Sequence, residues 1–159
     1  MSVYGKLLAS YLEPLEGYYF EIGVISQTTK RKATTGITNA EILFINEHGS
    51  PLQNIPARPV LQKTIEWAKS GFLKDEYSKA FEAYLSSSFN LKIFEKSLKQ
   101  TAIRIQSHAQ DLIYANGGTF QDNAPGTVKR KGFNHPLFQT SQLMRSITCR
   151  LCKDGKPVN

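Results

Sequence analysis

Cys149 and Cys152 form a CxxC. That is the spacing of a redox pair, or of half a zinc site. A four-ligand zinc site needs more donors, and His48, His108 and His135 are widely separated along the chain. The surrounding stretch, SITCRLC, reads as a strand, where residues three apart point to opposite faces. Both chemistries are therefore disfavoured. The expectation is a core Cys149 and free thiols. Glu47-His48 is the other pair that could act, as an acid and a base or as the centre of a small nuclease. A glutamate beside a turn more often accepts backbone hydrogen bonds. The chain carries no GxSxG elbow, Walker loop, HExxH or GxGxxG. The expectation is no catalytic residue, no cofactor and no metal.

Charge is the third candidate. Two compact cationic triplets stand out, Lys30-Arg31-Lys32 and Lys129-Arg130-Lys131. The net charge is +7, and it is unevenly spread. Residues 123–159 hold seven Lys/Arg and one acid, whereas residues 1–122 hold thirteen and twelve. The excess is a C-terminal feature. It points to a polyanionic neighbour, either nucleic acid or an acidic protein face, or else to a solubilising surface.

The elements that position these residues follow from periodicity. At 159 residues, with 40% apolar and 21% charged side chains, one globular domain with its own core is expected. No apolar run approaches the roughly 18 residues of a membrane span. The N-terminus, with Glu13 and Glu16, does not read as a signal peptide. Leu7, Leu8, Tyr11, Leu12 and Leu15 predict a helix over 2–16, limited by Pro14. YYFEIGVIS, 18–26, predicts a strand with Tyr18, Phe20, Ile22 and Val24 on one face. Thr38-x-x-Glu41 is a capping box that opens a helix, and Gly49 closes it. Helices are expected from Pro59 to Gly71, over 74–86, and over 91–116 behind an Asn90 cap. The last carries Leu91, Phe94, Leu98, Ile105, Ala109 and Leu112 on one stripe. Two basic loops are expected, at about 27–37 and 117–136. Thr140 caps a short helix over 142–145, a strand spans 146–152, and Asp154-Gly155 is a turn signal. The sum is a small single α+β domain, an antiparallel sheet packed on a long amphipathic helix and shorter helices.

One bend is unusual. NEHGSPLQNIPARPVLQ, 46–62, holds a helix-stopping glycine, three prolines and one arginine. Prolines reduce the freedom of the unfolded chain, so a rigid elbow loses less on docking. Arg58 can fork onto a carboxylate or carbonyls, in a neighbouring subunit or in its own chain.

Two segments go further. The first is Ile45-Asn46-Glu47-His48-Gly49-Ser50 with Ile55-Pro56-Ala57-Arg58-Pro59. The second is Thr127-Val128-Lys129-Arg130-Lys131-Gly132, then residues 136–147, PLFQTSQLMRSI. Together they resemble the neck and tail-completion proteins of tailed bacteriophages, small virion-morphogenesis and minor tail proteins. The recurrent pattern there is an N-E-aromatic-G-T turn, an I-P-A-R-P elbow and a late K-G…P-L-x-D-T-G-x-L-x-x-S-I run. Order and spacing agree over roughly Asn39 to Leu151. His48 stands for the usual aromatic, Gln139 for aspartate and Ser141 for glycine.

The resemblance implies a non-enzymatic virion protein. It would form a homo-oligomeric ring at the head–tail junction or the upper end of the tail, with viral DNA passing through the lumen. The partners implied are other copies in the ring, adjoining neck, adaptor or tail-tube proteins, and the DNA, with no membrane. The location implied is the virion, reached from the host cytoplasm during assembly. The subunit interface is expected at Glu47, Pro56, Arg58, Pro59, Leu137, Phe138, Thr140 and Leu143. The DNA-facing candidates are Lys30, Arg31, Lys32, Lys129, Arg130 and Lys131, through contacts independent of base sequence. Alternatively, these loops order onto an acidic neighbouring ring. The alternatives for the whole chain are a tail terminator ring and a sequence-independent nucleic-acid-binding protein, although no helix-turn-helix, RNA-binding aromatic motif or zinc module is present.

Overall fold

The computed structural model describes residues 3–25, 36–115 and 119–159. The triplet Lys30-Arg31-Lys32 lies outside them, as does most of the expected 27–37 loop. In chain order the elements are α1 (Val3–Leu12), β1 (Tyr18–Gly23), α2 (Asn39–His48), α3 (Val60–Trp67), α4 (Leu73–Ser86), α5 (Leu91–Ala115), α6 (Pro125–Lys131), α7 (Gln142–Ser146), β2 (Thr148–Lys153) and β3 (Lys156–Pro157). The class is α+β, as the periodicity predicts. The sheet runs in the order β1-β2-β3. The residues gather into two compact units, each with its own core.

The first unit takes residues 3–21, 68–104 and 149–159. Pro14 ends α1, and a single 3-10 turn, Glu13–Leu15, follows. The core is Ala80 and Tyr84 of α4, Phe94 and Leu98 of α5, and Leu151 of β2. Tyr18 and Phe20 of β1 pack against it. Fully burying a side chain of this size contributes about 1.5–3 kcal/mol. Two phenols keep partners: Tyr84 Oη, of the core, donates to Tyr11 O at 2.9 Å, and half-buried Tyr18 Oη donates to Glu95 Oε1 at 2.7 Å. β2 and β3 pair antiparallel, with Lys153 opposite Lys156 and Cys152 opposite Pro157. Asp154 (φ 48) and Gly155 (φ 80) make the turn between them, both left-handed as a tight two-residue hairpin requires. That turn presses on Gly17 (φ 78), where an added Cβ would lie 2.1 Å from Asp154 Oδ1.

One charge is enclosed here. Glu76 of α4 is only 8% exposed. Its carboxylate accepts from Lys79 Nζ at 2.7 Å, Arg104 Nη1 at 2.8 Å and Thr101 Oγ1 at 3.4 Å. The Lys79 hydrogen bond leads in holding its pKa below the usual carboxylate range. The Arg104 and Lys79 charges help, and burial opposes them.

The second unit takes residues 22–25, 36–67, 105–115 and 119–148. Its core is Leu43 of α2, Val60 of α3, Ala109 and Ile113 of α5, Phe120, Leu143 of α7, and Ile147. Ile22 and Val24 pack against it. The strand's alternation therefore holds, but one apolar face serves two cores. The α5 stripe divides likewise, with Phe94 and Leu98 in the first core and Ala109 and Ile113 in the second. The capping box is present: Glu41 N donates to Thr38 Oγ1, and Thr38 N donates to Glu41 Oε2. Trp67, at the end of α3, stacks on His108 of α5 with ring centroids 3.9 Å apart and an interplanar angle of 6°.

Three expectations need correction. Residues 125–131 are helix, not loop: Pro125 sits in the first turn and Gly132 (φ 80) caps the end. Thr140 does not cap α7: Ser141, itself left-handed at φ 57, takes that position without a side-chain hydrogen bond. Cys149 is only half-buried, and Cys152 is the enclosed thiol at 1% exposure.

Candidate functional site

The elbow begins where α2 stops. Gly49 (φ 74) turns the chain so tightly that a Cβ there would meet Ala57 N and Ile55 O, both at 2.9 Å. With ψ at 176 that conformation is one only glycine adopts cheaply, and no side chain fits the space. Ser50 and Ile55 then form a two-way bridge, Ser50 N to Ile55 O at 2.8 Å and Ile55 N to Ser50 O at 3.0 Å. Between them Pro51–Gln53 makes one 3-10 turn and Asn54 is left-handed at φ 54. Gln53 N to Ser50 O and Asn54 N to Pro51 O close it further.

Two charged side chains lock this bend into the unit. Glu47 reaches across it to the start of α3. Its carboxylate accepts from Leu61 N at 3.0 Å and Gln62 N at 2.7 Å. Those N–H groups have no partner within the helix, and the helix dipole favours an anion there. Arg58 is 6% exposed. It donates from Nε to Gln121 O and from Nη2 to Asp122 O, each at 3.0 Å. Burial lowers its pKa, and nearby Asp122 opposes that shift. Pro56 and Pro59 are half-buried on either side of it. Arg58 thus ties the elbow to its own chain, at residues just ahead of α6.

The segment that Arg58 grips is itself pinned. Asn123 N donates to Asn134 Oδ1 at 3.0 Å. The His135 ring meets Ile113 O through Nε2 at 2.8 Å and stacks on Phe138, centroids 4.6 Å apart. Phe138 also meets Tyr114 edge-on. Leu137 packs on the core and Leu143 belongs to it, so Leu143 is interior rather than interfacial. Thr140 is exposed.

The second cationic triplet occupies the last turn of α6, where positive charge suits the helix dipole. Its members differ. Lys129 and Arg130 are exposed. Lys131 is half-buried, donates to His135 O at 2.6 Å and lies 4.9 Å above the Phe133 ring. Burial lowers its pKa, and Arg58 and Arg130 lower it further. Lys131 is therefore an anchor, and the outward positive charge is that of Lys129 and Arg130.

The catalytic candidates come apart. Glu47 is engaged with α3, and His48 Nδ1 is 3.0 Å from Phe44 O within its own helix. Burial, with Cys152 nearby, pushes the Cys149 thiol up to about 12, far from a reactive thiolate. Among the described residues no three His, Cys, Asp or Glu side chains could share a metal ion, and no helix is long and apolar enough to cross a membrane.

Sequence reasoning anticipated backbone hydrogen bonds to Glu47 but not that the start of α3 supplies them, nor the targets of Arg58. The only prior signal for Glu47 was its type beside a turn. The chain matches no protein-family model, no curated protein and no solved structure.

Proposed function

We propose that this chain is a non-enzymatic structural protein of a tailed-bacteriophage virion, forming a ring at the head–tail junction around the DNA channel. One observation carries the reading. The two segments that bear the resemblance, the elbow and the late run, fold into one unit. Leu43 and Val60, which flank the first, share a core with Leu143 and Ile147 of the second. Arg58 of the first holds the backbone just before the second. The elbow is thereby a fixed shape before any partner arrives, which suits a protein whose task is to dock. Lys129 and Arg130 supply exposed positive charge for a polyanion.

Electron microscopy of a phage lysate lacking only this protein tests the reading. Filled heads and finished tails lying unattached are expected. Tails of irregular length would assign the terminator role instead. Normal infectious particles would overturn the structural reading and favour a free nucleic-acid-binding protein. For the DNA contact, K129Q/R130Q is expected to lower DNA retention in virions, and unchanged retention would remove that role from α6.

A further inference from the structure

The elbow carries a feature that its internal bonding does not use. Leu52, at its tip, is fully exposed. Scattered surface leucines are ordinary. Leu52 differs because four backbone hydrogen bonds fix the turn that presents it. A rigidly held apolar side chain loses little freedom on docking. None of the described residues covers it.

A receptor of matching chemistry lies on the same unit. A cleft of about 210 Å3 opens beside α2, lined by Gly23, Val24, Ala40, Leu43, Phe44 and Leu61. It has room for one branched aliphatic side chain. Phe44 on its wall is 65% exposed, an apolar ring facing water. The cleft's one carboxylate, Glu47, is already paired with the α3 backbone, and His48 is bonded to Phe44 O. The elbow tip, Ser50–Asn54, carries no charge. The tip brings no charge, and the cleft's carboxylate keeps its two α3 N–H donors when covered, so no hydrogen bond is lost when they meet.

We propose that Leu52 is a docking knob for a second copy of this chain, seated in the cleft beside Phe44 of its neighbour. Knob and cleft are different residues, so we take the contact as head-to-tail, one knob to one cleft; a reciprocal exchange of knobs would stop at a dimer instead. A head-to-tail contact repeats from subunit to subunit and closes into a ring when the rotation allows. The setting rests on the ring reading above, but the contact is testable in solution without a phage.

Two variants at exposed positions isolate it. L52D keeps the cleft and spoils the knob, whereas A40W keeps the knob and fills the cleft. Analytical ultracentrifugation at matched concentrations follows the wild type, each variant and their 1:1 mixture. Circular dichroism melts check folding, with L52S and A40K as milder substitutes. The wild type is expected to form a multi-subunit species. Each variant alone is expected to be monomeric, with association weakened at least tenfold. The mixture is expected to form a dimer and stop there, because one intact knob meets one intact cleft. A wild type that stays monomeric, an L52D that assembles normally, or a mixture that stays monomeric would each overturn the proposal. The lysate experiment separates the two ideas. If deletion detaches heads from tails while L52D virions are normal, the docking contact fails and the function stands. If the knob and cleft assemble as expected but deletion leaves particles normal, the function fails and the contact stands.

Discussion

Glu76 in the first unit and Arg58 in the second are both enclosed charges, and they are satisfied in opposite ways. Glu76 sits among charges, with Lys79 and Arg104 on its oxygens. Arg58 sits among dipoles, with two backbone carbonyls on its fork. The carboxylate's arrangement depends on its own ionisation and, through Lys79 and Arg104, on salt. The guanidinium's does not, since it stays protonated in any ordinary buffer. The first unit therefore has a chemically adjustable tie, and the second has a permanent one. The permanent tie is at the elbow, and it holds the shape of that bend constant across the ordinary pH range.

The comparison breaks first at Arg58. R58M keeps the stem and removes the fork, and it should cost about 2–3 kcal/mol by chemical denaturation. R58K should recover less than half, because an ammonium cannot span both carbonyls. A full rescue by lysine would mean that charge alone matters there. E76Q should cost less, about 1–2 kcal/mol, because Lys79 and Arg104 are more than half exposed and return to water. Its signature is the pH profile. The folded-state pKa is lowered, so this stabilisation is present above the unfolded value of about 4.3 and is lost as pH falls through the folded value. E76Q should flatten that acid limb, and R58M should leave it unchanged. E47A should cost about 1 kcal/mol, the worth of a helix cap, and less at high salt, which screens an anion at a helix start. The Glu21–Arg150 pair is the control: its partners are 2.7 Å apart but 38% and 43% exposed, so E21A should leave the denaturation midpoint where it was.

The same contrast explains what could be read from the sequence. The Thr38–Glu41 box, the stop at Gly49 and the Asp154-Gly155 hairpin are local, since each is completed within a few residues. The strand and helix stripes were legible because apolar spacing is periodic, although it could not reveal that each stripe serves two cores. Arg58 was legible as a fork and not as a tie, because its carbonyls lie 63 and 64 residues away. α6 was hidden for another reason. Pro125 and Gly132 read as loop punctuation, yet proline in the first turn and glycine just past the last are also how a helix is bounded. Lys131 was grouped with Lys129 and Arg130 by type, and only the fold separates the anchor from the two exposed charges.

The Trp67–His108 stack decides which half of the molecule light can see. Trp67 is the chain's one tryptophan, so emission excited at the red edge of protein absorption comes from the second unit alone. A fluorescence melt should register R58M directly and be nearly blind to early loosening around Glu76, which calls for far-ultraviolet circular dichroism or tyrosine absorbance. The stacked imidazole also gives that signal a pH dependence. Burial lowers the pKa of His108, with Asp111 opposing, so quenching by the imidazolium should set in only below the usual histidine range. Above that range, the brightness of the indole is a clean gauge of whether the end of α3 is still packed on α5.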